Sequence, residues 1–293
     1  MARMAMEWTR RKAMLGKFMK TLRERVQPRL TPEQAAKQVK SNRTTLHRME
    51  SGITQPNYHL VVALLSLYGA TDEERRKAER LWDAARKPIA RIEHAADLPT
   101  KYVAFCREEG LAKRERIIAY IAIPGLLQIG AYASAVAEAA PEFNARRRKG
   151  WENRAAAERR ARQQLLTRTD PLHLHAVIDE GAVRRQVGGE VVMREQLRHL
   201  LDMGARDNVT IQVVATGGGA YGTMSGAATI LDFAEDEPSS VYVEYAAGGE
   251  ILDTESDVVA FTRSFERISR DVALSPAASA DLIKSALHEL EER

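Results

Sequence analysis

The sequence contains a single cysteine and no long apolar run. One cysteine, Cys106, excludes a disulfide framework or a cysteine-based metal cage within one chain, and it fits a reducing compartment. No apolar stretch approaches the roughly 18 residues that a membrane span requires, and the N-terminus lacks the apolar core of a signal peptide. We therefore expect a cytoplasmic protein with no membrane partner.

The sequence also lacks the motifs of common catalytic and nucleotide-binding sites. The glycine-rich stretch around Gly217–Gly219 has no Gly-Lys-Ser/Thr, and its pattern predicts a link between two strands, not a phosphate-binding turn. A flexible hairpin or a partner-contact loop is the favoured interpretation. The charged cluster of Asp179, Glu180, Arg184 and Arg185 has no accompanying nucleophile, histidine or glycine elbow. We expect no cofactor and no metal, and we do not expect an enzyme.

Charge is distributed unevenly along the 293 residues. Residues 1–90 contain 19 basic and 9 acidic residues, whereas the remainder contains 25 basic and 31 acidic ones. Within residues 1–51 the counts are 13 and 4. Because clustered positive charge attracts polyanions, the N-terminal third is predicted to be the part that binds nucleic acid.

The segment TPEQAAKQVKSNRTTLHRMESG begins two helices in close succession. Thr31 and Gln34 have the spacing of a capping box, and Pro32 takes the first helical position. Asn42 is a good N-cap for a second helix that ends near Glu50. The segment therefore predicts two short helices joined by a tight turn.

The two predicted helices each have a buried face and an outer face. Ala35, Ala36 and Val39 of the first helix face inward, as do Leu46 and Met49 of the second. Small residues on the first helix let the two helices cross closely. A short second helix with a polar and basic outer face then fits the major groove of double-stranded DNA. The residues predicted to read bases are those on the outer face of the second helix, namely Arg43, Thr44, His47 and Arg48.

A helix with an apolar stripe and a basic outer face is predicted to precede this segment, over residues 13–26. Contacts from such a scaffold to DNA phosphates set the register without reading sequence. The residues predicted to contact phosphates lie on this helix and around the starts of the next two: Lys17, Lys20, Arg23, Thr31, Lys40 and Asn42.

The segment TPEQAAKQVKSNRTTLHRMESG resembles the Cro/cI-type (XRE) helix-turn-helix regulators. The resemblance implies a five-helix, lambda-repressor-like DNA-binding domain and supports the four base-reading positions. Lys40 stands where that family usually has a glycine with positive φ. The alternative interpretation is a solvated polar helix. The residues that carry the resemblance are Ala36, Val39, Asn42-Arg43-Thr44-Thr45-Leu46, Glu50-Ser51-Gly52 and Pro56.

Farther along the chain, hydrophobic periodicity changes between the helical and the strand period. The fold class expected is mainly α with a small β-sheet in the second domain, which is itself α+β. The predicted strands are 172–178, 210–214, 228–233 and 241–245, and the predicted helices include 102–121, 142–168 with a kink at Gly150, 192–203, 256–272 and 276–290. The predicted domains are a basic arm (1–12), a helix-turn-helix domain (13–87), a linker (88–100) and a second domain (101–293).

Four stretches of the second domain resemble the C-terminal domain of WhiJ-type, antitoxin-like regulators of actinobacteria. The resemblance implies a regulator encoded near a small partner protein that this domain binds. Ala215 and Ala227 depart from prolines of that family, and a histidine is missing beside Gly219. The stretches are Pro124-Gly125-Leu126-Leu127-Gln128 with Tyr132-Ala133, Arg159-Arg160 with Arg162-Gln163 and Leu165, Asp179-Glu180 through Val183-Arg184-Arg185 to Val187-Gly188-Gly189, and Gln196-Leu197 with Asn208-Val209-Thr210.

Several features have both a functional and a plain interpretation. His173 and His175 share a strand face and could ligate a metal, but no third ligand is close in sequence, so sheet-face histidines are favoured. The Arg146–Lys149 run would bind polyanions if it lay near the first domain, but a solvated helix face is favoured. The candidate partner or ligand residues are Asp179, Glu180, Arg184, Arg185 and Tyr221. For the first four, salt bridges at a strand-to-helix corner are the favoured interpretation.

The sequence thus favours a sequence-specific transcriptional regulator that binds double-stranded DNA as a homodimer, because one short helix reads too few base pairs. One alternative is an antitoxin-like module that sequesters a small partner protein and uses DNA binding for autoregulation. The other is an enzyme domain fused to a DNA-binding domain.

Overall fold

The computed structural model describes residues 10–86, 92, 98–139, 159–222, 226–234, 237–245 and 248–292. The chain divides into two compact units, Met1–Ile89 and Ala90–Arg293, and this division falls within the predicted linker. Most of the predicted basic arm, the Arg146–Lys149 run and the predicted kink at Gly150 lie outside the described residues.

The first unit is built from helices whose starts follow the capping signals of the sequence. Thr31 and Gln34 form the predicted reciprocal box, and Asn42 accepts a hydrogen bond from the Thr45 amide. Thr71 and Glu74 form a second box. These contacts satisfy amides that the helices leave unpaired. The helices are α1 (Arg10–Arg25), α2 (Pro32–Gln38), α3 (Arg43–Glu50), α4 (Tyr58–Leu67) and α5 (Asp72–Arg86).

The core of the first unit contains the residues that helical spacing assigns to it. Ala35 and Ala36 of α2 and Leu46 and Met49 of α3 are buried, and Val39 packs against them while partly exposed. The small alanines let α2 and α3 cross closely. Larger side chains complete this core, namely Leu15, Met19 and Leu22 of α1 and Val61, Leu64 and Leu65 of α4.

The second unit combines helices with one mixed sheet, which confirms the expected fold class. Among the described residues its helices include α6 (Thr100–Glu109), α7 (Gly130–Glu138), α8 (Glu180–Arg184), α9 (Glu190–Gly204), α10 (Glu255–Asp271) and α11 (Pro276–Glu291). Its strands are β1 (Arg114–Ala119), β2 (His173–Asp179), β3 (Val209–Val214), β4 (Ala228–Asp232), β5 (Ser240–Tyr245) and β6 (Gly248–Leu252).

The sheet has the strand order β3-β2-β1-β4-β5-β6 among the described residues. β1, β2 and β3 run parallel, so their carboxyl ends meet at one edge, whereas β4, β5 and β6 pair antiparallel. Side chains from α6, α9 and α11 pack on one face, and Phe265 and Ile268 of α10 pack on the other. The sheet is therefore a central layer with a core on each side.

The structure corrects one predicted helix. Residues 102–121 are not a single helix, because α6 ends at Glu109 with Gly110 as its C-cap and β1 follows. Ile117 packs in one core and Ile118 in the other, which is the two-residue period of a strand buried on both faces. β6 was not predicted either, because GGEIL has neither a clear alternation nor a long apolar run.

In the described part of the chain, no helix is both long enough and apolar enough to span a membrane.

Candidate nucleic-acid interface

The helix α3 presents one buried and one solvent-facing side. Leu46 and Met49 are buried, whereas Arg43, Thr44 and His47 are exposed. Arg48 is partly exposed on the same side. The structure therefore brings the four predicted base-reading residues onto one polar surface.

The turn between α2 and α3 depends on a left-handed residue. Lys40 has φ 52°, at the position where the resemblance expects a glycine. Its conformation lets the Ser41 amide donate to the Ala36 carbonyl at 2.8 Å, which closes α2 and starts the approach to α3. Lysine is strained here compared with glycine, and the turn geometry is nevertheless kept.

The structure does not support the predicted phosphate contact of Arg23. Its side chain is only 4% exposed, and its Nε and Nη2 atoms donate to the Glu50 carboxylate at 2.7 and 2.9 Å. Its Nη1 atom donates to the Leu30 carbonyl at 2.6 Å. The Glu50 hydrogen bond raises the pKa of Arg23. Arg23 thus ties α1 to the end of α3 and to the segment before α2, and it is not placed to contact phosphate.

The other predicted phosphate residues lie on the surface. Lys17 and Lys20 are exposed on α1, and Lys40 is exposed in the turn. Thr31 and Asn42 are exposed too, but their side-chain oxygens accept the capping hydrogen bonds of α2 and α3. The lysines can therefore contact an anion through their side chains, whereas Thr31 and Asn42 mark the two helix starts.

Gly16, which sequence reasoning missed, and Gly52, which the sequence marked only as part of the exit from the second helix, let α1 cross the end of α3. A Cβ atom on Gly16 would lie 2.7 Å from the Glu50 carbonyl oxygen and closer still to that of Met49. Gly52 has φ 70°, and a Cβ there would lie 2.6 Å from the Cα of Ala13. The signal that could have found Gly16 is a lone glycine inside an otherwise regular helical pattern.

In the second unit, the structure brings together four of the five candidate partner residues. Asp179, at the end of β2, accepts hydrogen bonds from the Gly181 amide at 2.7 Å and from the Tyr221 hydroxyl at 2.6 Å. Burial, followed by the Asp179 carboxylate, raises the pKa of Tyr221. Asp179 therefore caps α8 and anchors the loop that follows β3.

Glu180 and Arg184 fix the same corner from the other side. Glu180 accepts from the Thr216 amide at 2.8 Å and from Arg184, and these two contacts lower the pKa of Glu180. Arg184 also donates to Glu289 of α11 at 2.8 Å. Arg185 is exposed and stands apart from this group in the described region. The carboxylates of Asp179 and Glu180 both have hydrogen-bond partners within the chain, which supports the salt-bridge interpretation of the corner.

The glycine-rich loop leads from β3 toward β4 and includes a 3₁₀ turn at Thr216–Gly218. Residues 217–220 are exposed, and Gly219 has φ 71°. Residues 223–225 lie outside the described residues. A phosphate-binding loop opens a helix, so the strand-to-strand setting gives no support for nucleotide binding.

His173 and His175 lie on the sheet face that α10 covers. The His175 Nε2 atom lies 2.7 Å from the Gln212 side-chain oxygen, and its ring packs edge-on against Phe265. Burial lowers the pKa of His175. Across the described ranges, no group of three or more His, Cys, Asp or Glu side chains is arranged to hold a metal ion.

Three motif residues of the second unit, Gln128, Arg159 and Gln196, make hydrogen bonds in and around the PGLLQ stretch. Gln128 donates to the Ile123 carbonyl at 2.7 Å and accepts from Arg159 at 2.7 Å. Gln196 of α9 donates to the Leu127 carbonyl and accepts from the Ile129 amide. The PGLLQ stretch is therefore held by side chains from distant parts of the sequence.

A buried ionic group adjoins the PGLLQ stretch, and sequence reasoning did not find it. Arg162 donates through two nitrogens to the Glu109 carboxylate and through a third to the Tyr102 hydroxyl. Glu115 of β1 lies beside Glu109, and burial, followed by the Glu109 charge, raises the pKa of Glu115 well above its usual value. Because β1 is a strand, its side chains alternate between the two faces of the sheet, and this alternation places Glu115 in the core.

Two family models match the chain. The model described as a helix-turn-helix domain matches residues 14–78, so the first unit carries the type of module that DNA-binding regulators use. The model described as a domain of unknown function (DUF5753) matches residues 102–285. No curated protein and no solved structure matches the chain. The chain belongs to the family defined by the DUF5753 domain, here preceded by a helix-turn-helix domain.

Proposed function

We propose that the protein is a sequence-specific transcriptional regulator that reads the major groove with α3. The observation that carries this proposal is the two-sided character of α3, whose apolar side is in the core and whose polar side is open to solvent. Arg43 and Arg48 supply guanidinium groups, His47 an imidazole and Thr44 a hydroxyl. These are groups that hydrogen-bond to base edges.

Phosphate contacts are assigned to Lys17, Lys20 and Lys40, with Thr31 and Asn42 positioning the two helix starts. Arg23 is left out of this set because its charge is already paired with Glu50. Its part in DNA binding is to hold α3 against α1. We also propose a homodimer on double-stranded DNA, since two half-sites supply the specificity that one short helix lacks.

The second unit is proposed to bind a small partner protein or an effector where β2 and β3 end. The loop there is tethered at both ends, at Thr216 by Glu180 and at Tyr221 by Asp179, while its centre stays exposed. Anchored ends reduce the ordering cost of binding. Arg184 holds the corner to α11, and exposed Arg185 supplies a charge for contact.

A variant of this proposal makes partner sequestration the main role, with DNA binding for autoregulation. The resemblance to antitoxin-like regulators of actinobacteria supports it. A small protein that co-purifies in equal amounts and releases the DNA would favour this version. An enzyme receives no support from the corner residues, because both carboxylates are already engaged. Asp179 accepts from the Gly181 amide and the Tyr221 hydroxyl, and Glu180 accepts from the Thr216 amide and Arg184.

The test is binding of the full chain to its own upstream DNA and to random DNA across a salt series. Arg43→Ala should cost about 1–3 kcal/mol on the upstream DNA and relax discrimination at one base pair. Lys20→Ala should weaken both DNAs alike and reduce the salt slope by about 1. Arg263→Ala, which removes an exposed cation of the second unit, is the matched control and should change neither.

A specificity ratio of about 10³ or more, lost with Arg43, would support the assignment. Equal losses on both DNAs for Arg43→Ala and Lys20→Ala would contradict it.

A further inference from the structure

An apolar patch lies where α4 and α5 meet on the surface of the first unit. Tyr58 and Val62, one turn apart on α4, are 37% and 38% exposed, and no other large apolar side chain of residues 10–86 is as exposed. Tyr58 packs against Trp82 of α5, with ring centroids 4.9 Å apart and the ring planes tilted by 54°. Exposed apolar side chains that cluster in this way mark a contact surface.

Charged side chains of both signs border the patch along α5. Glu79 accepts a hydrogen bond from the Tyr58 hydroxyl at 3.2 Å, and the Arg86 guanidinium lies 4.8 Å from the centre of the Trp82 ring. Glu79, Trp82, Asp83 and Arg86 follow the i, i+3, i+4, i+7 spacing, so they share one side of α5. We call Tyr58, Val62 and these four residues the α4–α5 patch.

The order of charges on the α4–α5 patch is self-complementary. In an antiparallel pair of α5 helices, a two-fold axis between Trp82 and Asp83 sets Glu79 of one copy opposite Arg86 of the other, and Arg86 opposite Glu79. The two tryptophan rings then lie next to the axis. A surface that complements itself under a two-fold rotation is what an isologous dimer requires, so its fitting occupant is a second copy of the chain.

The α4–α5 patch is also tied to the helix that reads DNA. The Trp82 Nε1 atom donates to the Pro56 carbonyl at 2.8 Å, and the Gln55 side chain donates to the Trp82 carbonyl at 3.0 Å. These residues belong to the segment that leaves α3 and enters α4. A contact made through the patch therefore fixes the position of α3 relative to the dimer axis.

We propose that the α4–α5 patch pairs two copies of the chain and sets the separation of their two α3 helices. The proposal rests on the proposed function for its purpose, because paired half-sites need a fixed spacing. The patch extends over about two turns of α5 and one of α4, so it belongs with the smallest specific interfaces. Dimerisation is thus expected in roughly the micromolar range.

Charge reversal tests the pairing in the full chain without DNA, with sedimentation equilibrium as the readout. Glu79→Arg and Arg86→Glu should each weaken the dimer roughly tenfold, because each places two like-charged pairs across the axis. The double variant should return to within about threefold of the unmodified chain, since it restores both pairs. Positions 79 and 86 are two turns apart on one helix, so their side chains do not pair directly within one copy, and the recovery reports pairing between copies.

Cysteine cross-linking gives a second readout. Cys106 is buried, so an added surface thiol is the accessible one. Asp83→Cys, next to the axis, should form a disulfide-linked dimer under mild oxidation, whereas Glu73→Cys, exposed on another side of α5, should not.

Three outcomes would overturn the pairing: a chain that remains monomeric at about 100 μM, single reversals without effect, or a double variant no stronger than the singles. Failure of the pairing can be told apart from failure of the proposed function. A monomer that still prefers its upstream DNA would refute only the pairing. A dimer with no DNA preference would refute only the reading of sequence.

Discussion

Arg23 changes role between the sequence and the folded chain. Its position on α1 follows Lys17 and Lys20, and a basic outer face was the natural prediction. Yet Arg23 lies four residues after Met19, at the border of the buried stripe, and a carboxylate 27 residues later completes the pair. Helical period alone does not reveal such a partner, because only the tertiary crossing of α1 and α3 brings it near.

Replacing Arg23 by alanine should therefore destabilise the first unit. Glu50, which is 7% exposed, would be left as a buried charge without its partner, at a cost of about 3–5 kcal/mol. Thermal denaturation of the full chain measures this loss. Arg25→Ala is the control, because Arg25 is 52% exposed and an ion pair on the surface, such as its pair with Glu74, contributes little to stability. An Arg23→Ala variant as stable as Arg25→Ala, with a reduced salt slope on DNA, would restore the phosphate role.

Glu115 should make the stability of the second unit depend on pH. Burial and the neighbouring Glu109 raise the pKa of Glu115, so the native state holds a proton that the unfolded state releases. Stability from this group is fully present below the pKa of an unfolded glutamate and is lost as pH rises through the raised native pKa. Glutamine at this position cannot ionise. The free energy of unfolding of Glu115→Gln, relative to that of the unmodified chain, should therefore be higher at pH 8 than at pH 5.

Urea denaturation at the two pH values measures the difference. Glu250→Gln, at a side chain that is 58% exposed, serves as the control and should show no such pH dependence. If the Glu115→Gln difference were the same at pH 5 and pH 8, Glu115 would be ionised in the native state and the buried proton would be absent.

Helix starts were predictable because their signals are local. Each capping residue bonds an amide two or three positions away, so Thr31, Asn42, Asn57 and Ser275 could be assigned from spacing. The boundary between α6 and β1 was not predictable in the same way. β1 is flanked by β2 and β4, and its apolar residues face both cores, so no one-sided pattern remained to mark it as a strand.

The crossing of α1 and α3 gives a prediction with an unusual sign. Alanine in place of a helical glycine normally stabilises by up to about 1 kcal/mol. At Gly16 the added Cβ meets the Met49 and Glu50 carbonyl oxygens, so the helices must separate, at a cost of about 1–3 kcal/mol. Gly204→Ala on α9, whose Cβ would lie 3.6 Å from Ile211, is the control and should be neutral or stabilising.

Thermal denaturation compares the two glycine variants, and DNA binding adds a second readout. Since α3 rests on α1 at this crossing, Gly16→Ala should also weaken binding to the upstream DNA. Equal stability of the two variants would mean that the crossing adjusts without cost and that Gly16 does not set the position of α3.

The separation of charge between the two units leads to a prediction for the molecule as a whole. Residues 1–90 carry the excess of basic residues and have their own core, whereas the rest of the chain carries more acidic than basic residues. The number of phosphates neutralised on binding sets the salt slope. A fragment of residues 1–91 should therefore keep the salt slope of the full chain to within about 1, because the lysines proposed to contact phosphates are all in it.

The same fragment should bind random DNA at least as tightly as the full chain, since it lacks the acidic excess of the second unit. If the α4–α5 patch pairs two copies, the fragment should also dimerise, because every residue of the patch lies within it. Fluorescence anisotropy across a salt series measures the slope, and sedimentation equilibrium measures the pairing. A fragment with a much shallower slope would place phosphate contacts in the second unit, and the assignment of DNA binding to the first unit alone would have to be abandoned.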